Sequence, residues 1–362
     1  MAVKLAKPTN YRSVAKITAL DFQNIMRDLK VEKAFAVAVS GGPDSLALAL
    51  LSKQYAEENN LSFTAISVDH SLRNDSKDEI KWIEKLMKKK AIKFKSLKLK
   101  GKKPKANIMS YAREKRYNLL TQYCKKMKID FLLTAHHLDD EIENFLMRLI
   151  RGSGIKGLSS SRQSYRHERS GISIIRPLLS YSKKSLIKCL ALKKQSYILD
   201  PTNKDFRFDR SRIRELTSKL ISEGLDKSRF ANVIDNLKKA EIVIQGSLLK
   251  YAKKLIQIKE KSSIVININD LIKAPDEIKF RLAFYTLQYV SKKNQKPRAK
   301  SILNMIDKIN KKEFRRMTIN GCIVTKKDKE IVISQEQGRI SKNKEKKPLS
   351  HFAKKDIFNL FI

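Results

Sequence analysis

One stretch of the chain decides the fold: Val37-Ala38-Val39-Ser40-Gly41-Gly42-Pro43-Asp44-Ser45-Leu46-Ala47-Leu48-Ala49-Leu50-Leu51. The apolar run at 34–39 predicts a buried strand, and the Ala- and Leu-rich run at 46–51 predicts a helix. The two glycines between them let the backbone adopt strained angles and approach a ligand closely. We expect Asp44 and Ser45 to cap the helix. The free N–H groups at the positive end of this helix then form a phosphate site.

The order of residues in the turn, Ser-Gly-Gly-Pro-Asp-Ser at 40–45, separates this loop from other phosphate loops. An ordinary capped strand–turn–helix connection is the simpler alternative, but this order directly after a Val-rich strand is a more specific signal. The loop is not a Walker A loop, because no Gly-Lys-Ser or Gly-Lys-Thr closes it. It resembles the SGGxDS pyrophosphate loop of the N-type ATP pyrophosphatases. That resemblance implies adenylation, with pyrophosphate as the leaving group, rather than transfer of the γ-phosphate.

Composition limits the class of protein. At 362 residues, 41% of them hydrophobic, the chain has room for two or three folded domains. The net charge of +41 favours a nucleic-acid partner, although an excess of Lys, Ile and Asn is also typical of AT-rich genomes. The three isolated cysteines argue against a disulfide framework, a zinc ribbon or an iron–sulfur site. Without a signal-peptide core or a membrane-length apolar run, we expect a cytoplasmic protein with no membrane partner.

Strands and helices alternate along the first part of the chain. The predicted strands lie at 34–39, 63–68, 92–99, 131–134 and 172–179, and helices at 46–51, 78–90, 108–126 and 139–151 lie between them. This alternation predicts an α/β domain, in which a parallel twisted sheet is flanked by helices. Residues 152–169 are rich in Gly, Ser and Arg and predict a mobile loop. Ligands bind at the carboxyl ends of the strands in such sheets, so polar residues that follow strands are expected to share one site.

The pattern changes beyond the predicted sheet. We expect a catalytic domain over 1–218, a helical linker over 219–258, a small α+β domain over 259–336 and a basic tail over 337–362. Within the small domain, two strands at 317–325 and 330–334 predict a β-hairpin.

Acidic and histidine side chains follow two of the predicted strands. Asp69 is expected near ATP or Mg²⁺, which proteins hold with one or two carboxylates plus phosphates, unless it only caps a strand end. His136, Asp139, Asp140 and Glu143 fall at i, i+3, i+4 and i+7, so one helical face is predicted to carry all four. A solvated acidic face is the usual alternative. In a strongly basic protein, acids crowded at the start of one helix favour a cation site, for Mg²⁺ or an amine.

Two arginines lie on the helix predicted at 108–126. Arg113 and Arg116 are ordinarily interpreted as solvated side chains. Beside a phosphate site, they would neutralise the triphosphate of ATP or an RNA backbone.

Together these stretches resemble the tRNA(Ile)-lysidine synthetases, and the resemblance covers residues 34–214. It rests on five patterns in the same order: the 40–45 loop; Val68-Asp69-His70 with Leu72-Arg73; Asn107…Ala112-Arg113…Arg116-Tyr117; Ala135-His136-His137-Leu138-Asp139-Asp140…Glu143 with Leu149-Ile150-Arg151-Gly152-Ser153-Gly154-Ile155-Lys156-Gly157-Leu158; and Asp200-Pro201-x-Asn203-x-Asp205…Phe208-x-Arg210…Ile213-Arg214. The implied fold is that of the PP-loop ATPases, which are adenine nucleotide alpha hydrolase-like. The hairpin near 317–334 is similar to the family's small C-terminal domain.

The resemblance implies a ligase that forms a carbon–nitrogen bond. In this family ATP, with Mg²⁺, adenylates the C2 oxygen of the wobble cytidine of an isoleucine tRNA that has a CAU anticodon. The ε-amine of free L-lysine then attacks C2 and AMP leaves. The lysidine that results changes decoding from AUG to AUA. A homodimer is a candidate assembly.

With this resemblance we assign roles to the matching residues. The residues expected to bind ATP are Ser40, Gly41, Gly42, Pro43, Asp44, Ser45, Asp69 and Arg113. Those expected to bind lysine or to act in catalysis are His136, Asp140 and Glu143. Those expected to bind tRNA are Arg116, Arg151, Arg207, Arg210 and Arg214, and Asp139 is the candidate ligand of Mg²⁺.

Two other functions stay open at this point. One is another PP-loop tRNA-modifying enzyme, such as a 2-thiolation enzyme, although thiolation usually requires a cysteine pair and these cysteines are scattered. The other is a non-catalytic RNA-binding protein on the same fold. The intact loop and the acidic helix argue against that second alternative.

Overall fold

A computed structural model describes residues 17–69, 76–99, 108–159, 162–199, 209–259, 263–293 and 295–336, together with the backbone of Leu5–Ala6. The chain divides into two compact units, Met1–Asn236 and Leu237–Ile362. The basic tail predicted at 337–362 lies outside the described residues. Within the described ranges, no helix is long and apolar enough to cross a membrane.

The first unit contains a mixed sheet of mostly parallel strands. The strands of this unit are β1 (Leu5–Ala6), β2 (Phe35–Ala38), β3 (Phe63–Asp69), β4 (Lys93–Lys98), β5 (Phe131–Leu133), β6 (Ser164–Arg166), β7 (Ser173–Ile175) and β8 (Tyr197–Ile198). Strands β1 and β8 pair antiparallel in a separate two-stranded sheet. The helices of this unit are α1 (Ala19–Asp28), α2 (Pro43–Glu58), α3 (Ser76–Lys89), α4 (Ile108–Lys126), α5 (Leu138–Ile150), α6 (Ile155–Leu158), α7 (Lys183–Leu192) and α8 (Asp209–Ser222), and α9 (Lys227–Leu255) begins here. The main sheet has the order β4-β3-β2-β5-β7-β6. All of its pairings are parallel except that of β6 with β7.

Helices cover both faces of this sheet. Val37 of β2 is buried in a core that contains much of α2. Its neighbour Ala36 is buried in a second core with Tyr117 and Leu120 of α4. Successive strand residues point to opposite faces, so a strand buried on both sides has a continuous apolar sequence. The predicted α/β fold is therefore confirmed, and its strand ends are available to form a site.

The prediction of one mobile loop over 152–169 is wrong. The described part of this segment contains α6 and the edge strand β6. Arg148 Nη1 donates to the carbonyl of Gly157 at 2.8 Å, and β6 pairs antiparallel with β7. A strand of three residues is too short to show periodicity in the sequence. Strand β7 also ends earlier than predicted, because Pro177 has no N–H to donate to a ladder.

The second unit contains an antiparallel sheet with helices. Its strands are β9 (Ile256–Ile258), β10 (Ile264–Asn267), β11 (Arg316–Ile319), β12 (Cys322–Lys327) and β13 (Glu330–Gln335), in the order β11-β12-β13-β10-β9. Its helices are α10 (Ile268–Lys273), α11 (Asp276–Ser291) and α12 (Ala299–Ile309). Residues 317–325 were predicted as one strand, but Asn320 and Gly321 have φ angles of 53° and 77° and divide it into β11 and β12. Asn-Gly is the preferred pair for such a tight hairpin turn.

Candidate nucleotide and amine site

The 40–45 loop connects β2 to α2, and hydrogen bonds between its two serines hold its conformation. The N–H of Ser40 donates to Ser45 Oγ at 3.1 Å, and Ser45 Oγ donates to the carbonyl of Gly42 at 3.0 Å. Gly42 takes the N-cap position without a side-chain cap, and Pro43 is the first helical residue. The predicted capping by Asp44 and Ser45 is therefore wrong, because both lie inside the first turn. The Ser45 hydroxyl instead holds the loop closed, and the free N–H groups stay at the start of the helix.

Gly41 is required by both conformation and space. Its φ is +82°, which L side chains rarely adopt. A Cβ atom at this position would lie 2.5 Å from Ile198 Cδ1 and 3.2 Å from Ile83 Cδ1. The N–H of Ile198 also donates to the carbonyl of Gly41 at 2.9 Å, which fastens the loop to β8.

Asp44 extends from the loop toward the start of α5. Its Oδ2 atom lies 3.5 Å from His137 Nε2 and 3.8 Å from Lys183 Nζ. Its Oδ1 atom is buried and has no hydrogen-bond partner among the described residues. Burial raises the pKa of Asp44, but the hydrogen bond and charge of His137, with the charge of Lys183, outweigh this and leave the pKa below its usual value. The carboxylate is therefore ionised at neutral pH, with one oxygen uncommitted.

His137 joins the loop to α5. It is the N-cap of the helix: its Nδ1 accepts the N–H of Asp140 at 3.3 Å, and its own N–H donates to Asp140 Oδ2 at 3.2 Å. The neutral ring therefore carries its proton on Nε2, between Asp44 and the Asp140 carboxylate 3.6 Å away. Burial lowers the pKa of His137, but the Asp44 hydrogen bond and the surrounding carboxylates raise it above its ordinary value.

The three predicted acids of α5 do not share one environment. Asp139 Oδ2 accepts the backbone N–H of Lys183 at 2.7 Å, and its Oδ1 accepts from Lys227 Nζ. Burial raises the pKa of Asp139, but these two partners lower it overall. Asp139 thus fastens the starts of α7 and α9 to α5, and both of its oxygens are engaged.

Glu143 lies one turn further along α5 and is buried. Its Oε1 accepts a hydrogen bond from Arg214 Nε at 2.6 Å. This contact raises the pKa of Arg214 even though burial lowers it. Arg214, which was predicted to contact tRNA, therefore contacts Glu143, which was predicted to bind the substrate lysine. The ring of Phe145 meets that of Phe230 edge-on at 5.3 Å, which packs the same helix against α9.

His136 lies before the helix, so the expectation that it shares a helical face with the acids is wrong. Its Nδ1 lies 3.0 Å from Thr134 Oγ1. Burial, reinforced by the charge of Arg176 and to a smaller degree by Arg113 and Arg116, lowers the pKa of His136 to about 3. His136 is therefore neutral in a basic environment, whereas His137 lies among carboxylates.

The other predicted residues lie elsewhere in the first unit or outside the described residues. Asp69 is the last residue of β3, which neighbours β2, and Arg151 is the exposed C-cap of α5. Arg207 and the side chain of Arg210 lie outside the described residues. No group of three or more His, Cys, Asp and Glu is placed to hold a metal in the part of the chain that the structure describes.

Comparison with known proteins identifies the family. The model of the PP-loop domain matches residues 14–220. The tRNA(Ile)-lysidine synthase of Wolbachia pipientis wMel is 33% identical over 88% of this chain and 74% of its own length. The enzyme of Rickettsia typhi is 32% identical over 88% of this chain and 73% of its own length.

This chain belongs to the tRNA(Ile)-lysidine synthase family. The resemblance predicted from the motifs is confirmed. A member of the family from Bradyrhizobium diazoefficiens is 37% identical over 63% of each chain. Among solved structures, the U34-tRNA thiolase NcsA from Methanococcus maripaludis matches 61% of this chain and 79% of its own, with a TM-score of 0.52 and 23% identity. At that identity the likeness concerns the fold alone.

Several side chains of the site in this lysidine synthase family member were not predicted from the motifs. His137 stands in the family motif but was not selected, although a polar residue followed three positions later by an acid is typical of a capping box. Lys183 and Lys227 carried no local signal, because each is one of many lysines in the sequence. Arg176 was not predicted either, because it is one of 78 lysines and arginines and lies in no motif.

Proposed function

We propose that this chain catalyses lysidine formation on the wobble cytidine of CAU-anticodon isoleucine tRNA, with ATP and free L-lysine as co-substrates. The observation that carries the proposal is the 3.5 Å approach of Asp44 in the pyrophosphate loop to His137 at the head of α5. That contact brings a phosphate-binding helix start next to an acidic helix. An enzyme that first adenylates and then adds an amine needs both sites beside one reacting atom.

The loop residues bind and orient the nucleotide in this proposal. The N–H groups at the start of α2 receive the phosphates, and the Ser40–Ser45 hydrogen bonds keep the backbone in place. ATP supplies an adenylyl group that converts the C2 oxygen into a leaving group. The contribution of the chain is to hold the α-phosphate against that oxygen and to stabilise the departing pyrophosphate.

Magnesium fits this site at Asp44. Its Oδ1 atom is buried without a partner among the described residues, and one carboxylate plus phosphates is a common way to hold Mg²⁺. Asp139, the predicted ligand, is less suited because Lys183 and Lys227 engage its two oxygens. The bound ion would neutralise phosphate charge. We therefore propose Asp44 as the first protein ligand, with Asp69 near the ion as predicted.

The head of α5 is the proposed lysine site. Asp140 and Glu143 are suited to grip the α-ammonium group of lysine, which leaves the ε-amine free to attack C2. Arg214 holds the Glu143 carboxylate in one orientation through the 2.6 Å hydrogen bond. Because Glu143 is buried, an amine that pairs with it must enter the protein, which discriminates against poorly fitting amines.

The predicted tRNA contacts form a separate part of the proposal. Arg116 and Arg151 lie on or at the ends of helices in the first unit, and the Lys-rich residues from about 226 onward are proposed to position tRNA without taking part in the chemistry. The cytoplasm is the expected location. The homodimer stays a prediction that light scattering would test.

The 2-thiolation alternative receives no support from the cysteines. Cys124, Cys189 and Cys322 are all buried, in three different hydrophobic clusters. Burial raises the pKa of the Cys124 and Cys322 thiols to about 12, which keeps them protonated. A thiolate nucleophile requires the opposite shift.

The decisive experiment is mass spectrometry of tRNA nucleosides after incubation with ATP, Mg²⁺ and lysine. Lysidine should form only when all three are present with the CAU-anticodon tRNA. Methionine tRNA, which also has a CAU anticodon, is the matched control substrate. Absence of lysidine together with a thiolated or unmodified nucleoside would reject the proposed function.

A further inference from the structure

A second group of polar side chains lies on the α4 face of the sheet, and we call it the arginine–tyrosine cluster: Arg113, Arg116, Tyr117, Tyr165 and Arg176. Tyr165 of β6 lies opposite Ile174 of β7. Arg176 follows Ile174 by two residues, so both point to the same face. Ile174 is buried with Tyr117 in the core beside α4. Strand register and core packing thus bring together side chains from α4, β6 and β7.

The cluster is held by contacts between guanidinium groups and aromatic rings. Arg176 Cζ lies 4.9 Å from the centre of the Tyr165 ring. The Cζ atoms of Arg113 and Arg116 lie 5.3 Å and 5.7 Å from the centre of the Tyr117 ring. Burial and the nearby Tyr117 raise the pKa of Tyr165, although Arg176 and Arg113 act against them. The two aromatic groups therefore share one environment.

Two buried polar atoms of the cluster have no partner among the described residues. They are the hydroxyl oxygen of Tyr117, whose side chain is only 7% exposed, and Nε of Arg176. Buried polar groups left without a hydrogen bond cost about 1–3 kcal/mol each, so proteins seldom keep them without a use. Phenylalanine and leucine would pack this part of the core without that cost.

The charge of the cluster determines which ligand fits. Neither Arg113 nor Arg176 forms an ion pair with a carboxylate in the described ranges, and the nearby Glu114 pairs with Arg169 at 3.1 Å. The adjacent His136 is neutral. The charges of Arg113 and Arg176, with the unpaired Tyr117 hydroxyl and Arg176 Nε, fit an anion that accepts several hydrogen bonds, and a phosphate ester is that type of ligand.

We propose that the arginine–tyrosine cluster binds a phosphodiester of the tRNA next to the reacting nucleotide. This inference rests on the proposed function. A phosphate of ATP has the same chemistry, but the position in the fold favours RNA. The 40–45 loop follows β2 and begins α2, on the opposite face of the sheet from α4. Strand β7 is two strands away, roughly 10 Å at the usual strand spacing. A triphosphate on the loop would leave this cluster free for the polynucleotide, so the proposal moves Arg113 from its predicted role in ATP binding to RNA binding.

Within this site Arg176 and Tyr117 are positioning residues. Arg176 Nε and the Tyr117 hydroxyl donate to phosphate oxygens, and the Tyr165 ring holds the guanidinium plane in the orientation this requires. Phosphate contacts fix the register of a nucleic acid on a protein. A phosphate fixed here would hold the wobble base beside the ATP site.

The test compares Tyr117→Phe, Arg176→Lys and Arg176→Ala in the full chain. Tyr123→Phe, on the same helix and partly buried against the same core, controls for loss of a hydroxyl. Arg169→Lys, at an exposed arginine, controls for loss of a guanidinium group. Dissociation constants for isoleucine tRNA and for ATP are measured separately, the former at several salt concentrations. Thermal denaturation shows that each variant is folded.

We expect tRNA to bind about 10-fold more weakly to Tyr117→Phe and Arg176→Lys, with ATP binding unchanged within about 2-fold. Arg176→Ala should reduce the slope of log K against log salt by about one, whereas Arg176→Lys should keep it, because only the alanine variant loses a charge. A purely structural role would not separate these two variants. Weaker ATP binding with unchanged tRNA binding would overturn the proposal in favour of a nucleotide phosphate. Unchanged binding of both ligands would overturn it entirely. Lysidine formation by the unaltered chain is measured in parallel, so a failure of the proposed function is seen separately.

Discussion

Each unit of the molecule has charged side chains with buried polar atoms, but the two units satisfy those atoms differently. In the C-terminal unit, the buried Arg281 donates to both oxygens of Glu241 at 2.7 and 2.8 Å and to Glu277 Oε1 at 2.7 Å. In the first unit, Asp44 has partners for one oxygen and none among the described residues for the other. The described part of the C-terminal unit contains no buried side-chain nitrogen or oxygen without a hydrogen bond.

This difference distinguishes a structural ion pair from a candidate site. A fully bonded pair such as Glu241–Arg281 joins α9 to α11 and has no capacity for a ligand. Buried charges with unmet bonding capacity are costly unless something binds them, and they gather at functional sites for that reason. Burial of charge alone would therefore not separate the two kinds of residue. The count of unused donors and acceptors makes the distinction.

Replacement of Asp44 by alanine should give the largest loss of activity. A small loss would contradict the distinction between Asp44 and the fully bonded Glu241–Arg281 pair. We expect lysidine formation to fall on the order of 10³-fold, because the nucleotide and its metal ion lose a fixed charge. The fold should persist, since no fully bonded pair is broken. Mass spectrometry of the nucleosides measures the loss, and Asp78→Ala, at a half-exposed acid in the first turn of α3, is the control. Activity within about 10-fold of the unaltered chain would remove Asp44 from the site.

Arg281→Ala should destabilise the C-terminal unit by about 3 kcal/mol, because Glu241 is left buried without its partner. Hydrogen exchange measures this loss residue by residue. The single tryptophan, Trp82, lies in the first unit, so its fluorescence should show unchanged unfolding there. The double variant Glu241→Leu with Arg281→Met should recover most of the stability. Lys279→Ala, which loses only a pair with the exposed Asp276, is the control. If Arg281→Ala were as stable as this control, the buried pair would be dispensable.

Glu143→Gln tests whether the acidic helix recognises an amine. Glutamine keeps an oxygen that can accept the Arg214 hydrogen bond but removes the negative charge. We expect KM for lysine to rise about 10- to 100-fold, while lysine-independent adenylation of tRNA stays nearly intact. Glu141→Gln, at a buried acid of the same helix, is the control. Loss of adenylation without a change in KM for lysine would assign the acid to the metal ion.

The smallest expected effect is a pH dependence of stability from His136. Its pKa is about 3 in the folded chain against about 6.5 when unfolded, so only the unfolded state takes up a proton between these values. The contribution of neutral His136 is complete above pH 6.5 and is lost as pH falls toward 3. At pH 5.5 the loss should be about 1.4 kcal/mol. Urea unfolding followed by Trp82 fluorescence should show a shallower decline for His136→Asn. If stability fell equally with pH in the unaltered protein and in His136→Asn, a neutral His136 would be contradicted.

Local patterns predicted the elements that position the site. Helix α4 was predicted with its observed bounds, and β3 and α5 were predicted to within one residue at each end. The segments predicted wrongly have physical causes. The edge strand β6 is too short to show alternation, and the Asn320-Gly321 turn was overlooked inside an apolar run. Residues 200–208, part of the selective family pattern, lie outside the described residues.

The sequence by itself determined the strand–loop–helix unit at 34–51, the alternation that makes a parallel sheet, and the motifs that identify the family. Those features are local, because hydrophobic period, glycine conformation and residue order act over a few positions. The tertiary structure decided which charges meet. Arg214 reaches Glu143 across 71 residues of sequence, and Lys227 reaches Asp139 across 88. No local pattern encodes such pairs in a chain with 78 lysines and arginines, because every acid has many possible partners until the sheet order and helix packing select one.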